Sequence, residues 1–413
     1  MAHRAAGEDL RRARGVRWAL WAAALHIGMA LGYVGLAAAA IRQGMIWRAD
    51  FTARYTGARL VWEGQGADLY DRETQARWQQ ALLGGRTLAD GLLPYNHPPH
   101  TALLLAPLAA LPLEAAFAAW TLANLGLGAA LALDLTRFAR PWRRAERALV
   151  LTTFAALPGL LLSFLLGAFS LWTTVALWGF YRALKGRRAV TAAAWLVFGS
   201  IHPHFFLFPV LTLAAGRRWR ALGAWAAGML ALFGWAAWRL GPTVGWGWLA
   251  MLRWSASAFG EGGIDPRAMA NLKGLLTHAL GPSQAAAVNL LAALALMGAA
   301  AAVFGIWRGT WAPERADFEA RMALTLALGQ LTNLHVHPQD TLLLFVPGLL
   351  LYTALRAQGR GRAFGAMAVL FPPVGLAATF GGAGGPCGAL AALALAIGAA
   401  GALRVGEGSR REG

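Results

Sequence analysis

The sequence predicts an all-α, polytopic membrane protein, a helical bundle of about 10–12 spans. Three observations carry this. Of the 413 residues, 58% are hydrophobic and only 14% charged, against about 45–50% and about 25% in soluble domains. Long apolar stretches recur along the whole chain, close to the ~20 residues needed to cross a bilayer as a helix. Finally, 26 of the 37 Lys and Arg fall in the N-terminal arm, the C-terminal tail and five short segments between apolar stretches. That is the positive-inside distribution of a polytopic chain.

Residues 1–17 form a basic arm, and 18–41 a first span that is long for a cleaved leader and reads as retained. A polar, aromatic loop follows over 42–98, with two short surface helices predicted at about 50–63 and 71–84 and a Gly64–Tyr70 turn between them. The stretch 99–136 contains Pro107 and Pro112 and reads as one kinked helix or two shorter ones, counted as one span. Further spans are 148–166, 168–184, 189–216, 221–240, 283–307, 322–355, 363–381 and 386–404, followed by the tail 405–413. His202-Pro203-His204 breaks 189–216, and Leu334-His335-Val336-His337-Pro338 breaks 322–355. If each broken stretch is a helical hairpin, twelve spans result. Both termini and every basic segment then face the cytoplasm across an inner (plasma) membrane, and the chain is one domain, 1–413. The loop 42–98, the loop 241–282 and both breaks share the opposite face. Irregular backbone at membrane depth requires burial in protein or a wet cavity, so the two breaks are expected to face the interior.

The net charge is +18. Its distribution assigns it to topology and to attraction for anionic membrane lipids, not to nucleic acid. The single cysteine, Cys387, excludes an intramolecular disulfide.

The residues suited to chemistry gather on the outer face. Asp50 follows the first span directly; a carboxylate there serves either as a general base toward a hydroxyl or as the cap of the next helix. Six of the nine histidines lie on this side: His97, His100, His202, His204, His335 and His337. They read as donors to a phosphate, as a proton relay with Asp340, or as buried groups that satisfy carbonyls freed at the proline breaks. Two His-x-His pairs with Asp340 also resemble a metal ligand set, although no metal is assigned. Asp340 in an apolar run needs a partner: a histidine, a sugar hydroxyl, a helix cap or a cation. Lys273 with Asn271 reads as a phosphate site or as an interfacial anchor. Asp68 and Asp71 read as turn and cap residues, and Trp246, Trp248 and Trp254 as interfacial anchors or stacking surfaces for a sugar.

The run Asp50, Tyr55-Thr-Gly-Ala-Arg59, Gly64, Leu69-Tyr70-Asp71, Tyr95-Asn96-His97-Pro98-Pro99 and Ala106-Pro107-Leu108-Ala-Ala-Leu111-Pro112 resembles glycosyltransferase family 87, integral membrane enzymes of the C-type fold that use polyprenyl-phosphate-mannose. Trp120, Asn124, Asn271-Leu-Lys-Gly274 and Pro338-Gln-Asp340 continue the likeness. It departs at the inserted Asn96-His97, at His202-Pro203 where Lys-Pro is expected, and at Gly167-Ala168-Phe169, which lacks a Gln or Asn after the glycine.

The resemblance implies a polyprenyl-phosphate-linked hexose donor, mannose in the first instance, a lipid or glycan acceptor, and transfer with inversion. Asp50 would be the base. Arg59, His202, His204, Asn271, Lys273, His335, His337 and Asp340 would hold the donor, and Tyr55, Tyr95 and His97 would support the loop or the acceptor. No cofactor is called for, and no DxD motif occurs. A flippase or carrier for a lipid-linked sugar is the competing reading, since broken helices with polar residues mark transporters. A non-catalytic envelope partner is a third.

Overall fold

A computed structural model describes residues 2–44, 50–84, 91–257, 265–309 and 311–408. Parts of the expected loops, at 45–49, 85–90 and 258–264, and the last five residues of the tail lie outside these. Among the described residues there is no strand. The helices are α1 (Ala2–Arg42), α2 (Asp50–Trp62), α3 (Arg72–Leu82), α4 (Pro99–Leu105), α5 (Leu113–Phe138), α6 (Arg144–Ala156), α7 (Pro158–Leu166), α8 (Ser170–Lys185) and α9 (Ala189–Phe198). They continue as α10 (Leu207–Ala215), α11 (Trp219–Leu240), α12 (Val244–Ser257), α13 (Leu272–Leu280), α14 (Ala285–Trp307), α15 (Phe318–Leu331), α16 (Phe345–Ala357), α17 (Gly361–Phe380) and α18 (Gly384–Gly408).

The basic segments converge at one end of the bundle. Arg187 pairs with Glu314 at 2.7 Å, Lys185 Nζ donates to Pro313 O, and Arg218 donates to Trp311 O. Arg356 approaches Glu146 at 3.4 Å, and Trp142 packs on Tyr352. The two ends of 189–215 therefore lie together, and so do the two ends of 318–357, as hairpins require. The breaks at 202–203 and 332–337 stand at the other end. On these contacts α9 with α10 and α15 with α16 are helical hairpins whose breaks lie away from the basic segments.

Not every passage is a full-length span. Six helical segments are individually long and apolar enough to cross a membrane: Ala19–Arg42, Leu113–Phe138, Trp219–Leu240, Pro282–Trp307, Pro338–Ala357 and Gly384–Arg404. The pair α6 and α7, bent by 40° at Leu157-Pro158, makes a seventh. Hydropathy alone counts more, because it does not register the Pro and Gly interruptions that leave passages such as α9 and α10 short. Short helices are stable where neighbours cover their ends. Leu196 and Leu213, one in each, are fully buried.

One expectation is settled and another corrected. The stretch 99–136 is two shorter helices and not one kinked helix. Pro99–Ala110 is a separate apolar piece, ending in a 3-10 turn at Ala106–Ala110, and only α5 makes the passage. Pro112, extended at ψ 154°, separates the two. Nor is α2 a surface helix: Phe51, Thr52, Arg54, Tyr55, Thr56, Ala58 and Leu60 are among its buried residues. It packs under α4 and the 3-10 turn, and its Phe51 and Tyr55 side chains join Phe117, Trp120 and Phe169 in a small core of their own. Gly57 permits one of these contacts, for a Cβ there would collide with the ring of Tyr95. The turn and α3 come out as read, with Asp71 capping α3 by accepting from Thr74 N at 2.8 Å.

Candidate active site

Asp50 is the first residue of α2, its side chain 39% exposed. One turn on, Arg54 is 4% exposed. Its Nη2 stands 3.7 Å from Asp50 Oδ2, its Nη1 donates to Gly167 O at 3.1 Å, and its Cζ lies 4.6 Å from the centroid of the Phe169 ring. Nε is buried without a hydrogen-bond partner. Burial lowers the Arg54 pKa and Asp50 opposes the shift, but a guanidinium remains charged at neutral pH. Gly167 closes α7 in the left-handed conformation, φ 61°. Its carbonyl also accepts from Trp120 Nε1 at 3.0 Å, so the α7–α8 break fixes Arg54 and Trp120 together. From the other side Gln339 Nε2 donates to Asp50 Oδ2 at 3.1 Å. The Asp50 carboxylate is thus approached by two residues 285 positions apart.

Behind Arg54 lies a cluster of half-buried imidazoles. The His97 and His202 rings are 5.6 Å apart, His202 and His204 4.8 Å, and His97 stands edge-on to Phe169 at 4.9 Å. His202 Nδ1 lies 3.3 Å from Thr173 Oγ1. The second break supplies His335 and His337, with Nε2 atoms 2.8 Å apart; one of the two must donate and the other accept. Burial, with the charge of Arg54 adding to it, holds the His97 pKa well below the usual imidazole range, so this ring is neutral at pH 7. His204 Nε2 is buried without a partner, and its backbone carbonyl accepts from Asn333 Nδ2 at 3.2 Å. The two breaks are therefore stitched to each other.

Asp340 is 3% exposed and both its carboxylate oxygens are engaged. Ser170 Oγ donates to Oδ1 at 2.7 Å, and His337 N donates to Oδ2 at 2.9 Å. This is the helix-cap role, with Asp340 closing the break that carries the histidines. Asn271 similarly caps α13, accepting from Gly274 N at 2.9 Å, and donates to Asn333 O at 2.9 Å. Lys273, half-buried on the next turn, has no ion-pair partner among the described residues. It is near enough to His335 for its charge to act on that ring, and burial lowers its own pKa.

Three expected site residues serve the scaffold. Arg59 donates to Ala109 O at 2.6 Å and pairs with Glu63 at 2.5 Å. Tyr55 donates to Leu111 O at 2.6 Å. Tyr95, fully buried, donates to Pro98 O at 2.9 Å. Together they fasten α2 to the segment from 95 to 111. Trp248 holds the neighbouring Asn96 carbonyl at 3.0 Å, and His100 is buried against Ser200 at 3.1 Å. Conversely, sequence reasoning missed Arg54, Gln339, Ser170 and Asn333. Arg54 alone had a usable signal, its i+4 spacing from Asp50 on a helix.

No group of three or more His, Cys, Asp or Glu among the described residues is arranged to hold a metal ion. What the arrangement offers is a half-exposed carboxylate beside cationic and neutral donors short of acceptors. Such a set can accept a proton at Asp50 while binding an anion next to it.

No curated protein matches the chain, and no solved structure does. The family model Glycosyltransferase family 87 matches residues 95–334, more than half of the chain, taking in the His97 segment, the first histidine break and the Asn271–Lys273 cap. The chain belongs to glycosyltransferase family 87: it is an integral membrane enzyme that transfers a sugar from a donor to an acceptor.

Proposed function

We propose that the protein transfers a hexose, mannose in the first instance, from a polyprenyl-phosphate-sugar donor to a lipid or glycan acceptor, with Asp50 as general base. The acceptor hydroxyl attacks the anomeric carbon, its proton passes to Asp50, and the bond from that carbon to the lipid phosphate breaks with inversion. Negative charge then grows on the departing phosphate. Preplaced donors stabilise such charge without reorganising, and Arg54, Lys273 and the histidines of both breaks are the residues proposed for it. Asn271 and Asp340 act through the backbone turns they cap. We further propose an inner (plasma) membrane location, with termini and basic end cytoplasmic and the site outside, as the positive-inside pattern favours.

The observation that carries this reading is the half-exposed Asp50 carboxylate beside the buried Arg54 guanidinium, which keeps an N–H unpartnered. The test is transfer of radiolabelled mannose from polyprenyl-phosphate mannose in vesicles holding purified protein or Asp50→Asn. Losing a positioned base costs about 10²–10⁴-fold, so the variant should lose transfer by that factor while its gel-filtration profile is unchanged. Transfer by the variant at the wild-type rate overturns Asp50 as base. Movement of the lipid across the bilayer without transfer by either form replaces the enzyme reading with a carrier.

A further inference from the structure

The bundle holds a cavity of about 160 Å³, away from Asp50. Leu149 and Val150 of α6, Phe345 and Leu349 of α16, Phe371 of α17 and Leu395 of α18 form its walls. It extends from Leu157 and Leu344, beneath the break that carries Gln339 and Asp340, to Glu146 and Tyr352 at the basic end. The layer between it and the active site is tight: a Cβ on Gly159 would lie 2.5 Å from Leu342 N and 2.9 Å from Gln339 O. An occupant therefore comes from the leaflet at the basic end, not through the site.

The rim carries surplus positive charge. Glu146 is the one carboxylate lining the cavity among the described residues, accepting from Arg143 N at 3.0 Å and facing Arg356 Nε at 3.4 Å. Around it stand Arg143 and Arg144, both exposed, and the half-buried Arg147. Within the wall, Thr153 Oγ1 is buried and has no hydrogen-bond partner.

We infer that this cavity binds an anionic phospholipid, with one acyl chain inside and its phosphate at the Arg143–Arg147 rim. The apolar walls suit the chain, and each nearby basic residue adds about 1 kcal/mol of attraction to an anionic surface. The Thr153 hydroxyl lacks an acceptor that an ester carbonyl supplies and a polyprenyl chain does not. The lipid would brace α16, which continues directly from the turn bearing Gln339 and Asp340, and so support the site from behind.

The test uses full-length protein in phosphatidylcholine vesicles doped with a phosphatidylglycerol that carries a photoreactive group at the end of one acyl chain. Adducts are expected on 149–157 and 345–349. Unlabelled phosphatidylglycerol should compete about thirtyfold better than phosphatidylcholine, as two rim arginines would give. Thr153→Val, nearly isosteric, should cut labelling several-fold, and Ala391→Phe, which fills the cavity, should abolish it. If Ala391→Phe does not fold, Thr153→Val and the competition decide. Adducts spread over outward faces such as α14, or equal competition by phosphatidylcholine, overturn the inference. The readout is binding, so it stands or falls separately from the transfer reaction.

Discussion

The two ends of the bundle treat charge in opposite ways. At the basic end each buried carboxylate is matched. Asp317 receives Arg315 and Arg321, each at 2.9 Å, and Glu319 receives Lys185 at 2.6 Å and Tyr181 at 3.1 Å. At the other end a buried guanidinium has its nearest carboxylate oxygen at 3.7 Å and one N–H with no partner. A paired buried charge is a structural arrangement, whereas an under-paired one costs stability until something binds it. The difference separates an end whose buried charges are paired from the end where the active site is proposed.

This contrast can be broken experimentally. The largest effect is expected from Arg54→Gln. Removing one preplaced donor to developing charge typically costs about 10²–10³-fold, and transfer should fall by that much with thermal stability unchanged or raised. A large loss of stability without a specific loss of transfer would place Arg54 with the structural charges. Next, Asp317→Asn should behave in reverse. It leaves buried guanidinium donors unsatisfied, a loss of about 1–3 kcal/mol that melting in detergent would register, and it should leave transfer per folded molecule intact. Hydrogen bonding from Arg315 first holds the Asp317 pKa down to about 2. Its contribution is therefore complete above its ordinary 3.8 and is lost as pH falls toward 2; the variant should lack that acid-sensitive component. The smallest effect belongs to Arg187→Gln. Its partner Glu314 is exposed, and such pairs contribute little, so neither melting nor transfer should move.

Legibility in the sequence follows the same divide. Asp50, both histidine breaks and Asp340 stand out because a polar residue in an apolar run demands a reason. The two helical hairpins were likewise visible, since basic segments flank each of them. Which side of α2 faces the site was not visible. A 13-residue helix buried on several sides has no polar face to orient it, so Arg59 read as a site residue and Arg54 as nothing in particular. Only the approach of Gly167 and Phe169, more than a hundred residues away in sequence, fixes Arg54 in place beside Asp50. The caps at Asn271 and Asp340 were equally hidden, because a side chain that satisfies local backbone has the same composition as one that binds a ligand.

The contact between Gly57 and the ring of Tyr95 carries a consequence for how this enzyme can vary. The two positions lie 38 residues apart, yet they occupy one volume and constitute a single choice. A side chain at 57 is compatible only with a smaller residue at 95, and that residue would give up the hydroxyl which now ties the loop to Pro98 O. Drift at either site alone pushes α2 away from the segment that follows it, and Asp50 moves with it. Inheritance at these positions is therefore expected to be joint, with glycine and tyrosine kept or exchanged as a pair.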